Sequence, residues 1–358
     1  MYLPAGPADM PHVFLSPHFD DAVGSCGGVI SRLCRAGEEV IVHTIFAGRP
    51  SPPYSVLATR LHAEWRAGDF PVDVRRAEDA RACRVLGCRA EYSDWLDAIY
   101  RRHITAGSAR PPDEWLYPDH AALFGPVAAR ERRLPAQIAR QVLASIETEG
   151  ALYSGGRMKT SHAAAPRRSE ASRFRYTPKH ENTLAPLGEG VARERRVRGY
   201  GRLFSKPPGG TAAEKRIAGL HAESLTGVRF YAPLGVGHHV DHVLAFQAGR
   251  ELQARGAQVT FYQDFFYTDW NCPHLAGLRR RARAAPFSAA DFARQLRAFR
   301  CYRSQIPTLF GTRARAVRYF AEANRQGARG FPYREVFWQV KTISTQAFLK
   351  AGPRRLTV

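Results

Sequence analysis

The residues with the most chemical potential stand near the head of the chain, in Val13–Gly28, VFLSPHFDDAVGSCGG. An apolar run stops at His18, and two adjacent carboxylates, Asp20 and Asp21, follow it. Paired carboxylates at the end of a buried strand repel one another and are costly to desolvate unless a cation compensates them. His18 and Asp21 are three apart, so both face one point if the chain turns into a helix there, while Asp20 points elsewhere. A second cluster has the same form. Pro233–His242, PLGVGHHVDH, also follows a β-favouring run, and its His239 and His242 can share one helical face. His18, Asp21 and one of the later histidines make a set of two histidines and one carboxylate with a fourth position open. That is the donor pattern of a catalytic zinc, with iron or manganese able to compete. A single His-x-x-Asp at a strand end is more often a helix cap, but two such clusters, each at a strand end, favour a metal.

These side chains need a frame that brings residues 18 and 242 together. His12–Ser16, Val40–Phe46, Glu91–Leu96, Val228–Pro233 and Val259–Tyr267 read as strands, and Arg334–Val340 as an edge strand. Asp21–Gly37, Val74–Gly87, Leu134–Thr148, His239–Arg255, Ala289–Tyr302 and Arg313–Gln326 read as helices. In Val74–Gly87 the face through Ala77, Ala80, Val85 and Leu86 is the expected apolar one, and the aromatic run Phe261–Tyr267 reads as core. Strands alternating with helices predict an α/β fold with a mainly parallel sheet. In such sheets ligands bind beyond the carboxyl ends of the strands, where both clusters fall.

Gly155–Gly210 breaks the pattern. It is rich in Gly, Pro, Ser and Arg, and residues 156–210 carry 13 Lys/Arg against 4 Asp/Glu. The segment reads as a basic insertion, largely loop, with a short helix near Val191–Val197. The expected organisation is one catalytic domain in two parts, 1–154 and 211–358, interrupted by 155–210. The insertion is either a docking surface for an anionic substrate or a solvated loop without a catalytic part.

Of the 358 residues 44% are hydrophobic, enough for a substantial core. No apolar run approaches the roughly 18 residues of a membrane span, and MYLPAGPADM lacks the pattern of a signal peptide. A cytoplasmic chain with reduced cysteines is expected, since none of the six cysteines forms a C-x-x-C pair. The formal net charge of +21 favours anionic partners, although an Ala- and Arg-rich coding bias produces the same surplus. Nucleic acid is disfavoured as a partner, because helix-turn-helix, RNP-like and zinc-finger patterns are absent. Gly24, Gly27 and Gly28 do not make the G-x-G-x-x-G of a dinucleotide site.

The two clusters resemble the paired signatures of the LmbE-like (PIG-L) zinc deacetylases, A/S-P-H-P-D-D-E and H-P-D-H. Here they read SPHFDDA, followed by Ser25–Gly28, and GHHVDH. The likeness continues weakly through Arg75–Glu78 with Leu86–Gly87, Leu96–Arg101, APLGVG, FYQDFFY and Tyr302–Gln305, so it touches most of the chain outside Gly155–Gly210. It implies a Rossmann-like α/β fold with helices flanking the sheet. It also implies a metal-dependent hydrolase that removes an N-acyl group, usually acetyl, from an amino sugar or sugar-containing natural product. An anionic substrate would suit the charge. An amidase for a larger acyl group, or a noncatalytic basic binding protein with a decayed metal site, are the alternatives.

Position by position, the resemblance implies His18, Asp21 and His242 as ligands of Zn²⁺ or another divalent metal such as Fe²⁺. It implies Asp20 as general base, a protonated His239 that stabilises the oxyanion or protonates the leaving group, and Asp241 as a supporting partner. The resemblance also implies a sugar contact at Arg75 or Arg76; Asp97 reads as a sugar contact or a loop cap, and Tyr302, Arg303 and Gln305 as pocket lining or a helix end packed on the sheet. Phe19 and Ala22 depart from the family's Pro and Glu, and Gly237 stands where some members carry a tyrosine near the reacting carbonyl.

Overall fold

The run HVFLS forms β1 (His12–Ser16), with all five residues buried, and VIVHT forms β2 (Val40–Thr44) beside it. A computed structural model describes residues 10–103, 115–153, 227–265, 282–328 and 331–339 of the chain. Residues 1–146 and 219–358 belong to one compact unit; of the other, 147–218, only 147–153 are described, as the end of a helix.

After β1 come α1 (Asp21–Arg35), β2, α2 (Val56–Trp65), α3 (Pro71–Leu86) and β3 (Arg89–Tyr92). A 3₁₀ turn (Ala98–Tyr100), α4 (His120–Leu123), a second 3₁₀ turn (Ala129–Glu131) and α5 (Leu134–Tyr153) follow. The chain then supplies β4 (Arg229–Pro233), α6 (Val240–Ala254), β5 (Gln258–Tyr262), β6 (Ala282–Phe287), α7 (Ala289–Phe299) and α8 (Gln305–Phe310). It closes with α9 (Arg313–Asn324), β7 (Arg325–Ala328) and β8 (Phe331–Trp338).

The strand order is β3-β2-β1-β4-β5-β8-β6, with β7 paired to β8. The pairs from β3 to β5 are parallel, and those made by β8 are antiparallel. From β1 the chain winds to one side through β2 and β3, and β4 and β5 build the other side. The carboxyl ends of β1 and β4 therefore flank a topological switch point, the place where such sheets open a crevice. Alternation along the strands splits the core between two faces. Phe14, Val42 and Tyr231 pack with the α1 residues Val23, Cys26 and Val29. Val13, Leu15, Ile41 and Phe230 pack with Ile138 and Val142 of α5 and with Leu244 and Leu252 of α6.

Three local expectations need correction. The third strand is Arg89–Tyr92 rather than Glu91–Leu96. Arg334–Val340 is not an edge: β8 lies inside the sheet, covered by β6, whose sequence ARAAPF has little β propensity and a proline. The predicted apolar face of α3 is also misplaced. Ala77 is exposed, and the buried stripe runs through Arg75, Glu78, Asp79, Ala82 and Leu86. Charged residues can line a buried face because each has a partner. Arg75 pairs with Asp20, Glu78 accepts from the Ser304 hydroxyl at 2.6 Å, and Asp79 accepts from the Tyr302 hydroxyl at 2.6 Å. These bonds fasten α3 to the turn between α7 and α8. The proposed helix near Val191–Val197 lies outside the described residues.

Asp79 carries a pH dependence. Burial pushes its carboxyl up to about 7, against the Tyr302 and Tyr92 hydroxyls and the Arg75 charge, with Asp20 adding to the rise. Between an ordinary carboxyl value of about 4 and about 7, the unfolded chain has lost a proton that the folded chain keeps. Stability from this group is thus full below about pH 4 and falls as pH rises towards about 7. Asp79→Asn cannot titrate but still offers Tyr302 an acceptor. The melting temperature of the variant relative to wild type should therefore rise between about pH 5 and pH 8. A gap that stays constant across that range would show that Asp79 is ionised throughout.

Candidate metal centre

The turn after β1 is shaped by Ser16. Its hydroxyl donates to the His18 carbonyl at 2.5 Å and accepts from the Ala22 N–H at 3.0 Å, so the strand passes directly into α1. Asp21 sits in the first turn of α1, and its Oδ2 accepts from the His18 backbone N–H at 2.8 Å. The same oxygen lies 3.1 Å from His18 Nδ1 and 3.2 Å from His242 Nε2. The second histidine arrives from the loop after β4. Gly235 and Gly237 adopt positive φ there, as does His238 at 65°, and the loop leads into α6 with His239 at its cap. A Cβ on Gly235 would stand 3.1 Å from the His242 carbonyl oxygen, so a side chain at this point would press on the ligand-bearing turn.

Each of these two imidazoles has a carboxylate behind it. His18 Nε2 lies 3.0 Å from Asp241 Oδ2, and His242 Nδ1 lies 2.7 Å from Asp264 Oδ1. Asp264 also accepts from the Gly235 N–H at 2.7 Å through its other oxygen, tying the loop to the helix. A histidine held through one nitrogen by a carboxylate, with the other aimed inward, is the usual arrangement of a metal ligand. His18, Asp21 and His242 are buried, and their donor atoms lie within 4.8 Å of one another, so the donor set fits a divalent metal. His18, His239 and Asp241 meet the same distance limit. Asp241, however, is committed elsewhere, to the Ala98 N–H at 2.9 Å and to Arg101 at 2.6 Å. A carboxylate ion-paired to arginine is the poorer ligand.

The electrostatics agree with that choice. Burial disfavours charge on both imidazoles, but the carboxylates overcome it. Asp97, Asp21 and Asp241 raise His18 well above the imidazole range, and Asp21 and Asp264 raise His242 to about 9. Burial likewise opposes a charged Asp21, yet His242 and His18 hold it well below the carboxylate range. The cluster thus favours positive charge, which protons or a divalent metal could supply.

Asp20 is buried beside these groups, with Arg75 Nη2 3.2 Å from its Oδ1. Burial raises its pKa against the pull of Arg75, and Asp21 adds to the rise. Arg75 is itself buried, over the Trp65 ring at 4.7 Å, so it serves Asp20 and is not a solvated helix residue. Asp97 caps the first 3₁₀ turn through the Ile99 N–H at 3.2 Å and lies 3.6 Å from His18 Nε2. Arg303 is exposed in the turn between α7 and α8, and the cluster is built without it.

His239 packs edge-on to His18 at 5.1 Å between ring centres and against Phe124 at 5.4 Å. Burial, then the nearby His18 charge, hold its pKa well below the imidazole range. Its Nδ1 accepts from the Asp241 N–H at 3.3 Å, which assigns the ring proton to Nε2. With Nδ1 accepting, the ring's donor is Nε2–H, and burial opposes the protonation that the resemblance implies.

Sequence reasoning passed over Asp264, Arg101 and Glu131. Asp264 was hidden in an aromatic strand read as core, where Phe261, Tyr262 and Phe265 are indeed buried. A carboxylate at the carboxyl end of β5, beside the strand ends that carry both clusters, was the available signal.

The family model described as GlcNAc-PI de-N-acetylase, PIG-L, matches residues 13–147. A 2'-N-acetylparomamine deacetylase from Niallia circulans is 33% identical over 104 residues, which cover 25% of this chain. That match spans 38% of the relative, well under two thirds of its length. Among solved structures, a deacetylase from the teicoplanin biosynthesis pathway superposes with a TM-score of 0.58 at 20% identity, covering 92% of this chain and 96% of its own. A zinc-inhibited form of teicoplanin deacetylase superposes with a TM-score of 0.56 at 18% identity, covering 92% and 97%. These two likenesses show the fold. The stretch matched by the family model includes Asp20 and two of the three proposed ligands.

Proposed function

We propose that this protein is a divalent-metal amide hydrolase that removes an N-acetyl group from an amino sugar or an aminosugar-containing natural product. One observation carries the reading: two carboxylate-backed imidazoles converge on Asp21 at the switch point of the sheet, with the buried carboxylate of Asp20 next to them. The names of the relatives support the substrate class, since paromamine and teicoplanin both name their deacetylases. His18, Asp21 and His242 would hold the metal, with zinc the first choice for this donor set and Fe²⁺ an alternative. A bound metal would supply Lewis acidity, polarising the amide carbonyl and acidifying water.

The remaining work falls to side chains. Asp20 takes the proton of the attacking water, and the Arg75 charge beside it opposes the early protonation that burial favours. The Nε2–H of His239 donates to the carbonyl oxygen as negative charge gathers there. As the C–N bond breaks, Asp20 returns its proton to the departing amine, leaving acetate and a free amino sugar. In this reading Asp97, 3.6 Å from His18 Nε2 and 4.0 Å from Arg75, contacts a sugar hydroxyl. The same reading takes 1–154 and 211–358 as one cytoplasmic catalytic domain interrupted by 155–210. The pairing of β1 with β4 across that interruption supports it. Among the described residues no helix is long and apolar enough to cross a membrane.

The test compares N-acetyl and N-octanoyl glucosaminides carrying the same aglycone, with the free amine followed by mass spectrometry. The acetyl compound should be turned over with a kcat/KM at least about tenfold higher. Preference for the octanoyl compound would make the protein an amidase for larger acyl groups. Release of amine from neither would count against hydrolysis of aminosugar amides.

A further inference from the structure

Behind the proposed metal ligands lies a chain of buried polar groups with no part in the chemistry above. Arg101 follows the first 3₁₀ turn, and its guanidinium sits over the Phe46 ring at 5.1 Å and the Tyr117 ring at 5.3 Å. Its Nη2 is 2.6 Å from Asp241 Oδ1 and its Nε 2.8 Å from Glu131 Oε1, ion pairs made by proximity of charge without aligned hydrogen bonds, while its Nη1 donates to the Leu96 carbonyl at 3.1 Å. Glu131 is held in turn by the Tyr117 hydroxyl at 2.5 Å, and that hydroxyl accepts from the Ala128 N–H at 3.0 Å. Arg101, Glu131, Tyr117 and Asp241 are all at most 9% exposed.

The position of Asp241 explains why such a clamp matters. Its Oδ2 takes two donors, the Ala98 N–H and His18 Nε2. Among the described residues, Arg101 is the one cation paired with its Oδ1. The terminal torsion of an aspartate is soft and roughly two-fold. Without a fixed partner on Oδ1 the carboxylate plane can rotate, and the His18 ring, oriented through Nε2, rotates with it. The nitrogen affected is Nδ1, which faces Asp21.

We propose that Arg101, anchored by Glu131 and Tyr117, is a positioning residue for the metal centre, acting through Asp241 to hold His18 in its ligating orientation. The inference rests on the metal reading above. It makes residues 115–131 part of the support of the site, because Tyr117 and Glu131 anchor Arg101 while Phe124 between them packs on His239.

A double-mutant cycle read by zinc affinity tests this. Purified, metal-stripped wild type, Arg101→Gln, Asp241→Asn and the double variant are titrated with zinc against a chromophoric chelator, and their melting temperatures are taken without metal. Asp241→Asn, which removes the carboxylate behind His18, should weaken zinc binding by about 10–100-fold, and Arg101→Gln, one step further back, by a factor at the low end of that range. In the Asp241→Asn background the same change should have little further effect, because the path to His18 is already broken. Tyr117→Phe, a milder change should Arg101→Gln fail to fold, should weaken zinc binding in the same direction by a smaller factor. Wild-type zinc affinity in Arg101→Gln, or an equal loss in both backgrounds, would overturn the inference and leave Arg101 a packing residue. Wild type that binds no zinc would overturn the metal reading itself, and this inference with it.

Discussion

Asp20→Asn is expected to fold, retain its metal and turn over about 10²–10⁴-fold more slowly than wild type, the range that a lost general base accounts for. The prediction follows from what Asp20 does not do. It occupies the cap position of α1, yet its side chain makes no capping hydrogen bond. It is also absent from the converging donors His18, Asp21 and His242. Its partner is Arg75, 3.2 Å away, and an asparagine still presents an oxygen to that guanidinium. What vanishes is the ability to take a proton from water and return it to the amine. The loss should therefore appear in kcat with KM little changed, as for a group needed only in the transition state. Wild-type turnover at equal metal content would remove Asp20 from the base role.

The second large effect is expected at His242. His242→Ala should abolish tight metal binding and with it turnover, because two donors, His18 and Asp21, do not make a catalytic site of three. Alanine also strips Asp264 of its imidazole partner at 2.7 Å. Breaking a buried charged pair costs about 3–5 kcal/mol, so this variant should melt well below wild type. His242→Asn separates the two losses. An asparagine amide stands near the place of Nδ1 and can still donate to Asp264, but it has nothing in place of Nε2. It keeps a donor for Asp264 but not the imidazole charge against Asp21 and Asp264, so it should melt below wild type, above His242→Ala, and still bind no metal. An asparagine variant with a full metal complement would show that His242 is structural.

Much of the frame for these residues was legible in the chain, for reasons that can be named. VFLSPHFDDA shows a buried strand broken at charged residues, and periodicity places β1, β2, β4 and β5 correctly to within a few residues. The strand-end rule then brings His18 and His242 to one crevice without any knowledge of contacts. What escaped is polar burial. Hydrophobic periodicity assigns the stripe on α3 to Ala77, Ala80, Val85 and Leu86, of which only Leu86 is buried, because it treats Arg75, Glu78 and Asp79 as solvent-facing. Their partners Asp20, Ser304 and Tyr302 are distant in sequence. Asp264 escaped for the same reason, since its link to His242 exists only once β5 and α6 are docked. β6 escaped because its residues are weak strand formers that pair by virtue of β8 beside them, which also turned an expected edge into an interior strand. Tertiary context supplied each of these.

The central claim is that His18, Asp21 and His242 hold a catalytic divalent metal. It is tested most directly by elemental mass spectrometry of wild type and His242→Asn, purified side by side, supplied with zinc and freed of excess. About one metal per chain in wild type, lost from a variant that still unfolds cooperatively and melts above His242→Ala, is the predicted result. Wild type without metal under those conditions, or a variant with the same content as wild type, would contradict the account.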